Sequence, residues 1–311
     1  MALGRAPLAM IDGAHGVRIA CRLLGDRSRP PVVLTSGIGC GPVFMNRIAR
    51  ELAHDHFVVY WDYRAHGTSG AARRVASYRI EDHAADLERV VRVFASHAPP
   101  VMVAFSMGVQ VAIEWTRRAH SPAAGFVFML GLPRNPMHRT VLLRKPAAHL
   151  TRGIARTAKP ILPLLQGASK LVLRTPLTYL LARSLGVVRQ SCPPADFADF
   201  VRYATDVPLD AYLGCAAALL EHDATDAFLR IREPVLMLAS EHDVFIDPAE
   251  CRAFAAKHAH ARFELLRSAG HAGMIELGHQ VSERVRHFVE SHRTSGRRHA
   301  PSPTGPARRS A

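Results

Sequence analysis

The sequence predicts an α/β protein in which helices cover both faces of a mostly parallel central sheet. Short apolar runs alternate with helical patterns along most of the chain, which is the arrangement that produces parallel strands. Several of these runs are apolar at every position, as expected for strands that are buried on both faces. The chain has 311 residues, 48% of them hydrophobic, which is enough to bury a large core.

Seven apolar runs are predicted as strands, and Asp12-Gly13 is a weak hairpin signal among the first of them. The runs are residues 16–24, 31–36, 57–62, 101–105, 125–131, 234–240 and 262–268. Helical patterns separate them and cover residues 43–54, 80–97, 107–120, 248–258 and 274–292. The second of these helices opens with Glu81 and Asp82, and acidic residues stabilise a helix N-terminus.

Residues 133–230 break this alternation. They are helical in pattern, contain many prolines and lie between two predicted core strands, so they are predicted as an inserted helical cap. The α/β core then consists of residues 1–132 and 231–292. The last segment, residues 293–311, is rich in Pro, Ser, Gly and Arg and is predicted to be a disordered basic tail.

The net charge of +14 is concentrated in two segments. Residues 132–190 contain eleven Lys and Arg and no Asp or Glu, and residues 293–311 contain five Arg and no acidic residue. The rest of the chain has 24 basic residues against all 26 acidic ones, so the body of the fold is close to neutral. This distribution argues against specific nucleic-acid binding, and contacts of the Arg-rich tail would be non-specific and salt-sensitive.

The composition also indicates in which cellular compartment the protein is expected. No run of about 18 uncharged apolar residues is present, which argues against a membrane-spanning helix. The first twelve residues lack the continuous apolar block of a secretory signal. The five cysteines are scattered without a C-x-x-C pair, which favours reduced thiols over disulfides or a zinc site. We therefore predict a cytoplasmic protein with no metal or organic cofactor.

The run VMVAFSMG at residues 101–108 is the strongest functional signal in the chain. An apolar strand ends at Ser106, and a helical pattern begins directly after it. Small residues at Ala104 and Gly108 allow the strand and helix backbones to approach closely in such a sharp turn. A serine at the tip of this turn is strained and points its hydroxyl into solvent, as a nucleophile requires.

Two later segments supply the partners that a serine nucleophile needs. The run PVLMLASEHD at residues 234–243 places Asp243 at the carboxyl end of a buried strand, where α/β sheets gather their sites. The run SAGHAGM at residues 268–274 places His271 between a strand and a helix. We predict Ser106 as the nucleophile, His271 as the general base and Asp243 as the acid that orients it.

These three segments, in the order Ser, Asp, His, resemble the α/β-hydrolase fold with a helical cap. Two further segments match the pattern of that family: LTSGIGCG at residues 34–41 resembles its glycine-rich oxyanion loop after the third strand, and WDYRAHGTSG at residues 61–70 resembles its turn after the fourth strand. The resemblance covers residues 16–292. It departs from the pattern at Ala104, Ala65 and Ser36, where relatives have Gly, Gly and often His, and none of these changes removes a catalytic group.

The resemblance implies an oxyanion hole formed by the backbone N–H groups of Met107 and Ile38. It also implies a serine hydrolase that cleaves carboxylic esters or related acyl compounds through an acyl-enzyme. Serine at the elbow disfavours relatives that use aspartate, the haloalkane dehalogenases and epoxide hydrolases. An acyltransferase, thioesterase, lactonase or carbon–carbon bond hydrolase would use the same three residues, and the fold does not separate them. A non-catalytic protein that binds a small apolar ligand is the alternative from another class.

Other residues near these motifs have simpler interpretations. Glu241 is the main rival to Asp243 as the acid, and His242 is a weaker candidate for a site role. Asp247 precedes Pro248 at a predicted helix start and is interpreted as an N-cap. His66 is interpreted as a structural residue that packs the turn after the fourth strand, and Cys40 as a small space-filling residue.

The basic half of the cap contains unusually many aliphatic residues between positions 160 and 185. We favour the interpretation that they line the core or a substrate pocket. The alternative hypothesis is an amphipathic lid that docks on an anionic membrane surface or admits acyl chains. The sequence leaves the oligomeric state open.

Overall fold

The computed structural model describes residues 3–72, 74–119, 123–135, 153 and 161–292. Its centre is one eight-stranded sheet of order β1-β2-β4-β3-β5-β6-β7-β8. β1 pairs with β2 and β2 with β4 in antiparallel fashion, and the remaining pairs are parallel. The strands are β1 Leu8–Asp12, β2 Arg18–Leu24, β3 Pro31–Thr35, β4 Phe57–Trp61, β5 Val101–Phe105, β6 Gly125–Met129, β7 Val235–Ser240 and β8 Ala261–Leu266. The predicted mostly parallel sheet is confirmed.

The central strands are buried because helices pack on both faces of the sheet. Every residue of β3, β4, β5, β6 and β7 is buried. The helices of the core are α1 Asn46–Leu52, α2 Ile80–Phe94, α3 Met107–Thr116, α9 Pro248–Ala256, α10 Gly273–Glu276 and α11 Gly278–His292. At the start of α2, the Asp82 carboxylate accepts a hydrogen bond from the Arg79 N–H at 3.3 Å.

The helix predicted for residues 274–292 is two helices. Leu277 leaves the helical conformation with φ −123° and ψ 37°, directly before Gly278. Glycine has a low helix propensity because its unfolded backbone has the most freedom to lose. The break lets the short helix α10 pack beside the loop that contains His271, while α11 covers the sheet.

The described residues between β6 and β7 form five helices. They are α4 Leu162–Leu173, α5 Pro176–Ser184, α6 Pro194–Asp206, α7 Leu209–Glu221 and α8 Thr225–Arg230. We call residues 161–230 the insertion. The predictions for residues 136–152, 154–160 and 293–311, including the disordered tail, lie outside the described residues.

The prediction that the aliphatic residues of positions 160–185 line the core or a pocket is wrong for most of them. Leu162 is buried, whereas Leu164 is 74% and Leu171 79% exposed. Helical spacing identifies an apolar stripe but does not say which side of the helix faces the protein. Here, apart from Leu162, the side chains that contact the rest of the protein are polar.

An ion pair is completely buried under the turn that follows β4. The Arg64 guanidinium donates to both carboxylate oxygens of Asp86 at 2.8 Å, and both side chains are 0% exposed. Arg64 also donates to the Ser77 carbonyl at 2.8 Å, and Asp86 accepts the Ala14 N–H at 2.8 Å. These contacts join the turn to α2 and to the β1–β2 hairpin.

All five cysteines are buried and free of disulfides. Burial raises the thiol pKa of each of them, and that of Cys215 rises to about 12. No helix in the described part of the chain is long and apolar enough to cross a membrane.

Candidate active site

Ser106 occupies the sharp turn between β5 and α3 with φ 54° and ψ −120°. Glycine is required on two sides of it. A Cβ atom on Gly108 would lie 2.5 Å from the Thr35 carbonyl oxygen, and one on Gly131 would lie 2.6 Å from the Ser106 carbonyl oxygen. Both distances are shorter than real Cβ contacts. The turn is therefore held in a rare backbone conformation by close packing of neighbouring backbone segments.

His271 bridges Ser106 and Asp243. Its Nε2 lies 3.1 Å from Ser106 Oγ, and its Nδ1 lies 2.8 Å from Asp243 Oδ2. The imidazole side chain is 17% exposed, and the rings of Phe105 and Phe245 lie 5.4 and 5.0 Å from it. The three residues predicted from separate segments thus meet at the carboxyl ends of β5, β7 and β8.

The carboxylate of Asp243 is held in a fixed orientation. Its side chain is 1% exposed, and its Oδ1 accepts the N–H groups of Phe245 at 2.9 Å and Ile246 at 3.0 Å. The other oxygen, Oδ2, is left to face His271. A carboxylate with this set of donors accepts the Nδ1 proton and leaves Nε2 free to accept one.

The rival residues lie elsewhere. The Glu241 carboxylate accepts the Ser268 N–H at 2.9 Å and its side chain is 43% exposed. The neighbouring His242 is 45% exposed and lies 3.8 Å from Glu241. Asp247 caps α9, because its Oδ1 accepts the Ala249 N–H at 2.8 Å. The N-cap interpretation of Asp247 is confirmed.

Two backbone N–H groups lie beside the serine. Met107 is the first residue of α3, and such N–H groups have no acceptor within their helix. Ile38 follows Gly37, whose Cβ, if present, would lie 3.0 Å from Ser106 Cβ. Within the described residues, neither the Met107 nor the Ile38 N–H donates to a protein acceptor. Both are therefore free to donate to a substrate oxygen.

His66 holds the loop that contains Ile38. Its Nε2 accepts the Gly39 N–H at 3.1 Å, and its Nδ1 lies 3.1 Å from the Arg64 carbonyl oxygen. Burial lowers the pKa of His66 to about 4, so the imidazole is neutral at physiological pH and Nε2 can accept. The sequence interpretation as a packing residue missed this hydrogen bond to the loop.

Two tyrosines of the insertion pack on the same loop. A Cβ on Gly39, which has φ +64°, would lie 2.7 Å from the Tyr212 ring, and one on Gly41 would lie 2.6 Å from the Tyr203 ring. The Tyr203 hydroxyl donates to Asp62 Oδ1 at 2.9 Å. The insertion thus contacts the core beside the oxyanion loop through the two tyrosine rings and the Tyr203 hydroxyl, which is also hydrogen-bonded with Tyr60.

Glu276 joins the histidine loop to the insertion. Its Oε2 accepts the Gly270 N–H at 2.7 Å, and its Oε1 accepts the Arg189 N–H at 2.6 Å. The carboxylate is buried. Sequence reasoning missed Glu276, and the only sequence signal for it is an acidic residue in the helix that follows His271.

The residues described here contain no group of three or more His, Cys, Asp or Glu side chains arranged to hold a metal ion. Cys40 lies in the oxyanion loop, and its Sγ would be 3.3 Å from a Cβ on Gly37. Burial raises the pKa of Cys40 well above its ordinary value, so the thiolate form is disfavoured. This agrees with a space-filling role.

Comparison with known proteins gives one family match. The family model for the alpha/beta hydrolase fold matches residues 30–276. Solved structures similar to this chain include a thermophilic esterase from Thermogutta terrifontis, with 20% identity, a TM-score of 0.71, and coverage of 93% of this chain and 100% of that one. Another is the enol-lactonase from Burkholderia xenovorans, with 20% identity, a TM-score of 0.70, and coverage of 91% of this chain and 100% of that one.

A curated relative is the polyketide synthase ThaQ of Burkholderia thailandensis. It is 26% identical over 275 residues, which are 86% of this chain but 12% of the synthase. The chain therefore corresponds to a small part of that relative.

Proposed function

Because this chain belongs to the alpha/beta hydrolase fold family, we propose that it is a serine hydrolase acting on a carboxylic ester or a related acyl compound. The observation that carries the proposal is the hydrogen-bonded series Ser106–His271–Asp243, whose two contacts measure 3.1 and 2.8 Å. Unlike an isolated serine, a serine paired with a base can act as a nucleophile at neutral pH. The strained turn at Ser106 adds support, because strain of this kind is concentrated at functional sites.

In the proposed reaction, Ser106 Oγ attacks the acyl carbonyl carbon while its proton passes to His271 Nε2. The tetrahedral intermediate collapses, and the imidazolium returns the proton to the leaving alcohol. Water then attacks the acyl-enzyme, giving its proton to His271. The carboxylic acid leaves as Ser106 recovers its proton. Asp243 keeps the Nδ1 proton in place and stabilises the imidazolium in both halves of the reaction.

The oxyanion formed in both halves would be bound by the N–H groups of Met107 and Ile38. Each such donor contributes about 3 kcal/mol of transition-state stabilisation in serine hydrolases generally. The hydrogen bond from Gly39 to His66 supports this assignment, because it fixes the loop residue directly after Ile38.

Thioester hydrolysis or acyl transfer is the second candidate. The observation that favours it is the similarity to part of a protein named as a polyketide synthase. The same three side chains and the same oxyanion donors would serve a thioester, since the tetrahedral intermediate is analogous. Turnover of an acyl thioester of N-acetylcysteamine, compared with the matching oxygen ester, separates the two candidates.

The location proposed for the chain is the cytoplasm. The support is that all five thiols are unpaired and buried, as is usual in a reducing compartment.

The test is hydrolysis of p-nitrophenyl esters from acetate to palmitate by the wild type, Ser106→Ala and the control variant Ser291→Ala. We expect Ser106→Ala to lower kcat at least about 1,000-fold, because it removes the nucleophile. Ser291→Ala should retain full activity, since Ser291 lies near the end of α11 and its hydroxyl donates to the Phe288 carbonyl within that helix. A fluorophosphonate should label the wild type and not Ser106→Ala. Full turnover by Ser106→Ala, or tight ligand binding without turnover or labelling in the wild type, would contradict the proposal.

A further inference from the structure

Two consecutive helices of the insertion expose apolar side chains to solvent. Of the sixteen large apolar side chains that are exposed among the described residues, ten lie between positions 161 and 185. We call these ten the outer face: Ile161, Leu164, Leu165, Leu171, Val172, Leu173, Leu177, Leu180, Leu181 and Leu185. Single exposed leucines are ordinary on protein surfaces, but a concentrated patch of this kind marks an interaction site.

The amphipathicity of α4 is inverted relative to a helix that packs on a core. Leu162 is its buried apolar residue, and its other inward contacts are polar: Gln166 donates to the Val207 carbonyl at 2.8 Å and accepts the Leu209 N–H at 3.2 Å. Lys170 and Arg174 both contact Asp206 at 2.7 Å. The apolar side of α4 therefore faces away from the protein and is available to contact another apolar surface.

The outer face continues to the candidate active site. Gly186 follows α5, and a Cβ there would lie 3.6 Å from Val244 Cγ1. Val244 is 53% and Phe245 52% exposed, and the Phe245 ring lies 5.0 Å from that of His271. An apolar surface thus extends from α4 and α5 to the residues beside the imidazole.

Basic residues also lie in and next to the two helices that carry the outer face. The sequence from 132 to 190 has eleven Lys and Arg and no acidic residue. Lys170 and Arg174 are paired with Asp206, whereas Arg183 and Arg189 are exposed and have no acidic partner within the described residues. Helices that lie in a bilayer interface typically combine a stripe of apolar side chains such as leucine with neighbouring Lys and Arg side chains.

We propose that the outer face docks on a lipid bilayer containing anionic headgroups. A second copy of this chain fits less well, because a symmetric contact would place this basic segment against itself. This inference rests on the proposed function: docking in this orientation would bring the exposed Phe245 ring, and the His271 ring beside it, close to the bilayer. The substrate class would then be an ester of a membrane-resident acyl amphiphile.

The test is co-sedimentation of the full chain with phosphatidylglycerol vesicles at low salt. The test variant combines Leu164→Ser, Leu171→Ser and Leu180→Ser. The matched control combines Leu8→Ser, Val93→Ser and Leu229→Ser, which are exposed apolar residues outside the outer face. We expect the wild type and the control to bind, the test variant to bind at least about 10-fold more weakly, and phosphatidylcholine vesicles to retain less wild type. The single variant Leu171→Ser repeats the comparison with minimal risk to folding.

Hydrolysis of p-nitrophenyl acetate, a water-soluble ester, should be equal in all of these proteins. Vesicle binding does not require hydrolysis, so the two proposals can fail separately. If the wild type binds vesicles but hydrolyses no ester, the proposed function is rejected and the docking proposal stands. Three results would overturn the docking surface. The first is no binding of the wild type at low salt, and the second is equal binding of the outer-face variants and the control. The third is that the wild type and the control are dimers whereas the outer-face variants are monomers.

Discussion

At the scale of single residues, the conformation of Ser106 has an energetic cost. A non-glycine residue with φ 54° and ψ −120° is strained by about 1–3 kcal/mol. Regular hydrogen bonds on both sides hold it there: Ser106 N–H donates to the Met129 carbonyl at 2.9 Å, and Val109 N–H to the Ser106 carbonyl at 3.0 Å. The strain is thus maintained by hydrogen bonds to the sheet and to α3.

His66 makes stability depend on pH. Its pKa is about 4 in the folded chain and about 6.5 when exposed, so between these values the unfolded chain binds a proton that the folded chain does not. Its contribution is fully present above pH 6.5 and is lost as the pH falls towards 4, by roughly 3 kcal/mol in total. We expect His66→Gln to flatten the urea-unfolding free energy against pH by up to about 1.4 kcal/mol per pH unit in this window.

His83 provides the background for this measurement. It is fully buried, which lowers its pKa well below the ordinary value, and the charges of Arg64 and protonated His66 lower that pKa further. The difference between the two curves therefore reports the titration of His66 together with its coupling to His83. Parallel curves between pH 6.5 and 4.5 would show that His66 is not the titrating group.

Which site residues the sequence reveals depends on how local their evidence is. Ser106, Asp243 and His271 could be predicted because each lies in the turn or loop after the carboxyl end of a strand, the edge of the sheet where such residues gather. Glu276 could not, because one of its two acceptor contacts is to the N–H of Arg189, 87 positions away. The role of His66 likewise depends on Gly39, which only the folded chain brings near.

At the scale of elements, the Tyr203 hydroxyl links α6 to a buried carboxylate of the core. Tyr203 donates to the buried carboxylate of Asp62, which Arg22 also contacts at 2.6 Å. Tyr203→Phe leaves the Asp62 oxygen short of a donor, and we expect a loss of about 1–3 kcal/mol in the free energy of unfolding. Urea denaturation measures it.

The control for this variant is Tyr212→Phe in α7. Tyr212 packs on the same loop, but its hydroxyl has no hydrogen-bond partner in the part of the chain that the structure describes. Its replacement should change stability by less than about 0.5 kcal/mol. Equal losses in the two variants would mean that ring packing rather than the hydrogen bond secures α6.

Strands were predicted better than the insertion helices for a physical reason. When both faces of a sheet are covered, a strand is apolar at every position whichever way its side chains point. β5 and β6 could therefore be predicted without knowing what packs on either face. An apolar stripe on α4 has two possible orientations. The inward contacts of Gln166 with Val207 and Leu209, across about 40 positions, decide between them and are invisible to periodicity.

At the scale of the whole molecule, the Arg64–Asp86 pair connects the β4 turn, α2 and the first hairpin. Asp86→Leu would leave the guanidinium buried without its counter-ion, and we expect a loss of about 3–5 kcal/mol. The double variant Arg64→Met, Asp86→Leu should recover much of that loss, because no isolated charge remains. Urea unfolding of the wild type and the three variants, including Arg64→Met, measures the coupling.

An exposed pair in α11 supplies the reference. Arg286 and Glu290 are 3.0 Å apart at the surface, and Glu290→Gln should cost no more than about 0.5 kcal/mol. A loss in Asp86→Leu that is as small as this would show that the buried pair does not join the three elements.

The burial of all five cysteines has a practical consequence. Thiol reagents act on the thiolate, and these side chains have neither access to solvent nor an ordinary pKa. The five native cysteines should therefore not react with thiol labels while the chain is folded, so they need not be removed for site-directed spectroscopy. A single Leu171→Cys substitution would provide an isolated attachment point for a spin label or fluorophore, from which immersion depth in a lipid phase could be measured without removing any natural sulfur.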